Sequence, residues 1–539
     1  MKYFNISLIA AAAIFAIINR IVIPFKNVFT DYGVILNTPD AYCMVRYAEM
    51  LPYTGLDYFA NFPDGAAGLQ QIVYPIVIKA FSSITGDYFI AAALLPVIFF
   101  AIAAIALHDM AKLLFNGRIA AISLFIFCIL PGEILTRTML GAGDYHCLEI
   151  MLVALILTTI ILLCKIKPSL FTQIGLIYIT AVLIALYWFS WLGAPMIIAI
   201  IFVALLVYIF LNYVKHWLAK AAYIAAIIGL IWAFINSGLY RMTYGIFTIN
   251  LAEPIIEAQS FFFTGGQFDI TTMMAYYGLA FYIVLFGIGW LIYQVIRYRR
   301  FSDTLFLSYT LITFAMMIAH RRFDYYFAIS AAIITAYMIY NLYQIVGRQH
   351  IARIAIIALA IISLPLAKQS IVVSGLNYGS PDKDWVSTCQ WLKDQNSANH
   401  EKVYLTGAKP DYGTLSWWNN GYWLMSIGHQ AVLCHGGTAD NGCSEILLSR
   451  SDDKALNKLN SLNIRYVVID SDMLFNCNGL KTGNLTDTFM YKAYTGQVDS
   501  LKLVYQSSGI KVFSLTYMEL TEATWLYLQA HPNIVYPNK

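Results

Sequence analysis

The sequence predicts a polytopic α-helical membrane protein that ends in a mixed α/β domain, and three observations support this prediction. Of the 539 residues, 60% are hydrophobic and 12% are charged, whereas soluble domains average roughly 25% charged residues. Long apolar runs recur from Asn5 to Ala367, and a helix that spans a bilayer needs roughly 20 apolar residues. After residue 370 these runs give way to turn signals and short strand-like segments.

The apolar runs predict about 11–13 membrane helices. One or two of these fit within 66–82 and 233–275, where the apolar character is less continuous. The first run lacks the A-x-A-like exit of a cleavable signal peptide, so we expect it to remain as a span. The other predicted spans are 5–25, 87–108, 116–132, 147–164, 172–190, 192–212, 218–236, 274–296, 303–319, 323–345 and 351–367.

Basic residues set the expected orientation. The positive-inside rule places Lys2 and the short basic connectors in the cytoplasm, and an odd number of spans then places the C-terminal domain outside. We therefore expect a multi-pass protein of the cytoplasmic membrane, with a multi-span domain over 1–369, large outer loops at 26–86 and 237–273, and an extracytoplasmic domain over 370–539. The basic connectors are Lys112/Arg118, Lys165/Lys167, Lys215/Lys220, Arg297/Arg299/Arg300 and Arg348/Arg353.

The outer domain shows strand patterns. The segments "KVYLTG" and "IRYVVID" are predicted to be buried strands, and "LKLVYQSSGIKVFSL" is predicted to be a hairpin that turns at 507–509. The cysteines in this domain are Cys389, Cys434, Cys443 and Cys477. An extracytoplasmic domain permits one or two disulfides, but the spacing of these cysteines does not give their connectivity.

The net charge of the whole chain, +4, is too small to indicate a nucleic-acid partner.

Ligand-type side chains gather in the connectors predicted to face outward. Asp40 lies in "NTPDAYCMVRYAEML", Asp144 and His146 lie in "TRTMLGAGDYHCLE", and Glu253 and Glu257 lie in "INLAEPIIEAQSFF". Carboxylates at the mouth of a helix bundle suit Mg²⁺ or Mn²⁺, and an imidazole favours Mn²⁺. For Asp144 the ordinary alternative is that it caps the following helix.

Two further motifs stand out. The turn "HRRFDYY" places two arginines on the predicted outer side, against the charge rule. Arginine there marks an anion site, and snorkelling at a helix end is the alternative. The segment "TLSWWNNGYWLM" concentrates aromatic and amide side chains in the outer domain, where the alternative to a binding site is an aromatic core.

Together the motifs resemble the catalytic subunit of the asparagine-linked oligosaccharyltransferases, in the single-subunit form of bacteria and archaea, over the whole chain. The segment around Asp40 is similar to the first acidic motif of that family. The segment "TRTMLGAGDYHCLE" is similar to the second, and "SWWNNGYWL" is similar to the WWDYG signature. The resemblance implies the C-type membrane glycosyltransferase fold.

The resemblance also implies roles for individual residues. It implies a metal site for Mn²⁺ or Mg²⁺, a site for the donor diphosphate, and a pocket for the Ser or Thr of the acceptor, with Glu257 fitting the family's loop glutamate better than Glu253. The implied metal ligands are Asp40, Asp144, His146 and Glu257; the catalytic residues are Asp40 and Glu257; the donor-binding residues are Arg322 and Arg137; the acceptor-binding residues are Trp417, Trp418, Asn419 and Met473.

The sequence departs from the family pattern at three positions. Asn419 and Asn420 stand where the signature has Asp and Tyr, and Cys477 breaks the last position of a short helix motif that Asp470 and Met473 otherwise match. An amide oxygen accepts a hydroxyl proton as a carboxylate does, but without charge assistance the hydrogen bond is weaker.

The implied function is transfer of a glycan en bloc from a polyprenyl-(di)phosphate donor to the Asn side chain of Asn-x-Ser/Thr sequons. The enzyme would act as a single subunit in the bilayer. The alternative is another polyprenyl-phosphate-sugar-dependent glycosyltransferase, of the protein O-mannosyltransferase or lipid A aminoarabinose transferase type. A transporter would instead place its charges within the spans, whereas here the charges cluster at the outer ends.

Overall fold

A computed structural model provides the structure of the protein. It describes residues 2–53, 55–66, 71–166, 169–191, 193–216, 220, 222–226, 259–264, 267–345, 351–377, 379–437, 442–476 and 485–515. The chain forms two compact units. The first comprises 1–30, 70–74 and 90–377, and the second comprises 31–69, 75–89 and 378–539.

The first unit is helical. Within the described residues, eight helices are long and apolar enough to cross a membrane, and three shorter apolar helices accompany them. Every predicted span that lies mostly within the described residues coincides with an apolar helix. The predicted spans at 218–236 and within 233–275 lie mostly outside the described residues. The helices are Lys2–Ile17 with a π-turn at Ile18–Val22, Phe25–Val28, Tyr88–Leu114, Gly117–Ile129, Glu133–Thr136, His146–Lys165, Leu170–Ser190, Pro195–Tyr213, Thr271–Tyr276, Ala280–Tyr298, Phe301–Ala319, the 3₁₀ turn Arg321–Phe323, Asp324–Ile345 and Ile351–Ser374. A further helix, Val73–Thr85, begins in the first unit but lies mostly in the second.

Short strands complete the first unit. Phe263–Thr264 pairs antiparallel with Gln267–Phe268, and Phe29–Thr30 follows the helix Phe25–Val28.

A buried arginine in the first span holds the loop that carries the second acidic motif. Arg20 lies in the π-turn and is fully buried. Its Nε donates to the hydroxyl of Thr138 at 3.1 Å, its Nη1 donates to the carbonyl of Cys128 at 3.0 Å, and its own carbonyl accepts from the amide of Leu140 at 2.8 Å. These hydrogen bonds fix the first span to the loop that leads to Asp144 and His146. π-turns inside helices are frequent at functional sites.

The second unit contains a four-stranded sheet. The central strand Ile464–Asp470 pairs parallel with Gly413–Leu415 and antiparallel with Ile510–Leu515, which in turn pairs antiparallel with Leu501–Ser507. The predicted strand "IRYVVID" and the predicted hairpin are therefore confirmed. The other elements are strand Gly33–Val34, the helices Pro39–Met50, Lys383–Asp394, Ala398–Tyr404, Gly421–Ser426, Cys443–Leu447, Asp452–Ser461, Met473–Asn476 and Phe489–Tyr494, and the 3₁₀ turns Trp418–Asn420 and Leu485–Asp487.

The prediction of a strand at "KVYLTG" is wrong. Residues Ala398–Tyr404 form a helix, because the hydroxyl of Ser397 accepts from the amide of His400 at 3.1 Å and caps the first turn. His400 and Tyr404, one helical turn apart, are both buried, so one face of this short helix packs into the core.

Candidate functional site

The loop between Arg137 and His146 is packed tightly by its glycines. The amide of Gly141 donates to the carbonyl of Ala93 at 3.0 Å. A Cβ added at Gly143 would lie 2.7 Å from the carbonyl oxygen of Ala92. Any side chain at Gly143 would therefore push the loop away from helix Tyr88–Leu114 and displace the residues that follow it.

Arg137 orients Asp144. Its Nη1 lies 3.3 Å from Asp144 Oδ2, and its Nε lies 3.2 Å from Glu133 Oε2. Asp144 is 1% exposed and Arg137 is 6% exposed. A buried carboxylate needs a cation or hydrogen bonds as partners, and Arg137 provides such a partner and fixes the orientation of Asp144.

The helix that begins at His146 has Tyr145 as its N-cap residue, and the side chain of Tyr145 makes no capping hydrogen bond. Asp144 Oδ1 instead accepts from the amide of its neighbour Tyr145 at 2.6 Å. The structure thus does not support the capping alternative for Asp144.

His146 and Asp144 face each other as two possible ligands of one cation. His146 Nε2 lies 3.6 Å from Asp144 Oδ2, which exceeds hydrogen-bond length. On the other side of the ring, Nδ1 lies 3.2 Å from Glu149 Oε2 and 3.1 Å from the hydroxyl of Tyr325. Two atoms that each bind an ion at about 2.1 Å can be up to about 4.2 Å apart, so this oxygen and nitrogen pair fits a divalent cation.

The other predicted ligands are placed differently. Asp40 lies half-buried in the first turn of helix Pro39–Met50, which belongs to the second unit. Glu253 and Glu257 lie outside the described residues. Within the described part of the chain, no group of three or more His, Cys, Asp or Glu is arranged to hold a metal ion.

The arginine turn begins the helix Asp324–Ile345. Arg322 is half-buried in the 3₁₀ turn Arg321–Phe323, and its guanidinium carbon lies 5.2 Å from the ring centre of Phe323. Its Nε is buried and has no hydrogen-bond partner among the residues that the structure describes. A buried N–H without a partner is costly, and an anion would satisfy it.

The second unit contains a cavity of about 240 Å³ at the aromatic motif. Three of the predicted acceptor-binding residues, Trp417, Asn419 and Met473, line it, and Trp418 lies half-buried at the start of the adjacent 3₁₀ turn. The full lining is Ser380, Asp382, Trp385, Trp417, Asn419, Asn420, Trp423, Asp470, Asp472 and Met473.

Several of the lining residues were not singled out from the sequence. Trp385 Nε1 donates to Asp470 Oδ2 at 2.7 Å, and the rings of Trp385 and Trp423 meet edge to face at 5.4 Å. Asp382 caps helix Lys383–Asp394 by accepting from the amide of Trp385. Asp382 before an amphipathic segment is a sequence pattern that predicts a helix start. No sequence pattern predicts that Trp385 of this helix lines the cavity.

The glycine of the motif is required by packing. A Cβ at Gly421 would lie 2.2 Å from the carbonyl oxygen of Cys434 and 2.8 Å from Cβ of His435. Cys434 forms a disulfide with Cys443. The motif therefore packs against a covalently closed loop, and only glycine permits this approach.

The helix that carries Asp40 packs against the helix Gly421–Ser426, which contains the end of the aromatic motif. Ser426, at the end of Gly421–Ser426, donates from its hydroxyl to the carbonyl of Tyr42 at 2.6 Å. Asp40 thus belongs to the same packed unit as the aromatic cavity.

Comparisons with known proteins agree with the motifs. A model of the AglB core domain matches residues 382–474. The chain is 22% identical to dolichyl-phosphooligosaccharide-protein glycotransferase 3 of Archaeoglobus fulgidus, over 88% of this chain and 70% of that protein. The resemblance predicted from the motifs is confirmed.

Solved structures share the fold. The archaeal oligosaccharyltransferase AglB from Archaeoglobus fulgidus, in complex with an inhibitory peptide and a dolichol-phosphate, matches with a TM-score of 0.76 at 19% identity, covering 97% of this chain and 75% of that one. ArnT from Cupriavidus metallidurans bound to undecaprenyl phosphate matches with a TM-score of 0.55 at 10% identity, covering 96% and 99%. The predicted fold, a polytopic membrane protein with a C-terminal sheet-containing domain, is confirmed.

Proposed function

We propose that this chain is a glycosyltransferase that moves a glycan en bloc from a polyprenyl-(di)phosphate donor to the asparagine of Asn-x-Ser/Thr sequons. The observation that carries the proposal is the cavity of the second unit. Trp417, Asn419 and Met473 come together there, although they lie in different segments of the sequence. The cavity sets polar groups, among them Asn419, beside three tryptophans and Met473, and such a mixed lining suits a short peptide side chain.

In the proposed cavity the acceptor's Ser or Thr is read by its hydroxyl. The amide oxygen of Asn419 accepts the hydroxyl proton, and Trp417, Trp418 and Met473 provide apolar surface for the threonine methyl. Asn420 also lines the cavity but is buried, with its Nδ2 3.4 Å from the hydroxyl of Ser416, and supports the wall rather than the ligand.

We assign a divalent cation, Mn²⁺ or Mg²⁺, to Asp144 and His146, and by family resemblance to Asp40 and Glu257. When bound, the cation supplies positive charge to the leaving diphosphate. The chain's own residues prepare the site: Arg137 orients Asp144, and the hydrogen bonds of His146 Nδ1 turn Nε2 toward Asp144.

The acceptor amide needs activation, because its nitrogen lone pair is delocalised by the same resonance that makes peptide bonds planar. Ionised carboxylates only accept hydrogen bonds. Asp40 and Glu257 would each hold one N–H of the acceptor amide and turn the nitrogen toward the sugar carbon. Arg322, with Arg137, would bind the donor diphosphate; a guanidinium matches phosphate oxygens in a bidentate fashion.

We place the active site and the second unit on the extracytoplasmic side of the cytoplasmic membrane, and we expect the protein to act as a single subunit. The disulfide between Cys434 and Cys443 supports this side, because disulfides persist in oxidising compartments.

The competing function is another lipid-donor glycosyltransferase, since ArnT shares the membrane fold. The aromatic cavity favours peptide recognition over that alternative. The test incubates purified protein with a polyprenyl-linked oligosaccharide, Mn²⁺ and labelled Asn-x-Thr or Asn-x-Ala peptides. We expect a glycopeptide from Asn-x-Thr only, and mass spectrometry should locate the glycan on asparagine. A glycan on a hydroxyl or a lipid would instead support the competing function.

A further inference from the structure

One buried carboxylate of the first unit has no role in the proposed function. Glu149 lies in the first turn of the membrane helix His146–Lys165 and is 0% exposed. An ionisable side chain within a membrane helix is costly and indicates function by default. Its Oε1 is buried without a hydrogen-bond partner among the described residues, so packing alone does not account for it.

Three donors converge on the other oxygen of Glu149. Oε2 lies 2.8 Å from the hydroxyl of Tyr326, 3.0 Å from the hydroxyl of Tyr325 and 3.2 Å from His146 Nδ1. The hydroxyl of Tyr187 lies 2.8 Å from that of Tyr326, so residues of three helices converge on this carboxylate.

The network favours one position for the proton on the ring of His146. An ionised carboxylate only accepts hydrogen bonds, so a hydrogen bond between His146 and an ionised Glu149 is donated by Nδ1. The Tyr325 hydroxyl can donate to Glu149 while its oxygen accepts from the same Nδ1–H, at 3.1 Å. In the neutral ring the lone pair then lies on Nε2, the atom that faces Asp144 Oδ2 at 3.6 Å.

We propose that Glu149 is the positioning residue of the metal site, holding His146 in the tautomer whose bare Nε2 binds the cation. The proposal rests on the metal site of the proposed function and extends it to a residue outside the ligand set. Carboxylates that bond the far nitrogen of a ligating histidine fix its tautomer and orientation, and their loss typically lowers metal affinity about 10–100-fold.

The first test measures Mn²⁺ binding directly, without donor or acceptor, by electron paramagnetic resonance of the purified full-length protein. We expect Glu149→Gln to weaken Mn²⁺ binding about 10–100-fold, because an amide can donate to Nδ1 and so favour the other tautomer. The matched control is Asp303→Asn. Asp303 is a buried carboxylate of helix Phe301–Ala319 that lies 3.6 Å from Lys165, at the other end of the helix that carries Glu149. This variant should bind Mn²⁺ like the unmodified protein.

His146→Gln separates the two proposals. If His146→Gln weakens Mn²⁺ binding but Glu149→Gln does not, the positioning role is overturned and the metal site stands. If neither variant changes Mn²⁺ binding, His146 is not a ligand, and both the positioning role and that part of the proposed function are overturned.

A second measurement keeps the proposal testable if Glu149→Gln does not fold. Nitrogen-15 NMR of the metal-free, histidine-labelled protein reports the protonated ring nitrogen, and the His146→Gln spectrum identifies the signal. At an alkaline pH at which the ring is neutral, a proton on Nδ1 and a bare Nε2 are expected. A bare Nδ1 with the proton on Nε2 would overturn the proposal.

Discussion

Nδ2 of Asn420 lies 3.7 Å from the sulfur of Met473, which ties the aromatic motif to the short helix Met473–Asn476. Asn420 is 7% exposed, whereas Asn419 is exposed and lines the cavity. The two adjacent asparagines thus differ in role: one builds the wall and the other is available to an acceptor.

This difference predicts how the sequon is read. The enzyme should glycosylate Asn-x-Thr best, Asn-x-Ser less and Asn-x-Ala hardly at all. Once a bound peptide covers Asn419, an unpaired amide oxygen there costs about 1–3 kcal/mol, and the threonine methyl adds roughly 0.8 kcal/mol of apolar contact. Asn419→Asp should sharpen discrimination against alanine by up to about tenfold, since charge-assisted hydrogen bonds are roughly twice as strong.

The matched control for that series is Asn420→Asp. It introduces the same carboxylate one residue away but buries it beside Met473, so it should lower stability without sharpening the choice of peptide. Equal use of Asn-x-Ala and Asn-x-Thr by the unmodified enzyme would show that the motif is an aromatic core and that the acceptor is chosen elsewhere.

Asp144→Asn should abolish glycan transfer and leave a folded, membrane-inserted protein. The amide keeps the size of the side chain but removes the negative charge that pairs with Arg137 at 3.3 Å. Arg137 retains Glu133 as a partner at 3.2 Å, so the loop keeps one of its ion pairs. Transfer rate and detergent-extracted yield are measured together, with Asp109→Asn, at an exposed carboxylate, as the control. Normal transfer by Asp144→Asn would remove it from the ligand set.

Arg322→Ala should raise the KM for the lipid-linked donor far more than the KM for the acceptor peptide. Its buried Nε has no hydrogen-bond partner among the described residues, and a diphosphate would provide one. Arg300→Ala, in an exposed basic connector, is the control and should change neither constant. An equal rise in both constants for Arg322→Ala would indicate a structural role for the turn.

The second unit should lose stability as the pH falls from about 6.5 to about 4. Burial lowers the pKa of His435 from 6.5 to about 4, and its Nδ1 accepts from the amide of Gly437 at 2.9 Å. In this window the unfolded chain binds a proton at His435 that the folded chain excludes. The contribution of His435 to the free energy of unfolding is therefore fully present above pH 6.5 and falls by about 3 kcal/mol toward pH 4.

Unfolding followed by tryptophan fluorescence across this pH range tests the prediction. His435→Asn should reduce the pH dependence, although it lowers stability at neutral pH. Burial also lowers the pKa of His429 to about 4, so part of the dependence should persist. His216→Asn, at an exposed position, should retain the full dependence. An unchanged slope in His435→Asn would assign the acid sensitivity to other groups.

Removing the disulfide should destabilise the second unit. Cys434 and Cys443 are nine residues apart, and closing so short a loop stabilises the folded state by roughly 2–3 kcal/mol in the chain-entropy model. The double variant Cys434→Ser/Cys443→Ser should unfold at lower denaturant concentration than the oxidised protein. A reducing agent should shift the unmodified protein to the same midpoint and leave the double variant unchanged. If the reducing agent shifts both proteins equally, its effect does not act through this bond.

Much of this protein was determined by local patterns that the sequence displays directly. The length of an apolar run decides whether a helix can cross a bilayer, so nearly all described spans were predicted at their observed places. The hairpin Leu501–Ser507 and Ile510–Leu515 was predicted for the same reason, because its alternation and turn lie within a few adjacent residues. Trp417, Asn419 and Met473, which line the cavity, were singled out in the sequence by the resemblance to the family motifs.

Only the tertiary structure decided which distant residues meet. Glu149 and Tyr325 are 176 positions apart, and Trp385 and Asp470 are 85 apart, yet each pair is hydrogen-bonded. No periodicity encodes such a pair, because its distance depends on how helices and strands pack rather than on their own patterns. The same holds for the pairing of Cys434 with Cys443. At "KVYLTG" the β-like composition was overridden by a serine cap and by the burial of one helical face, since local propensities are weak beside packing.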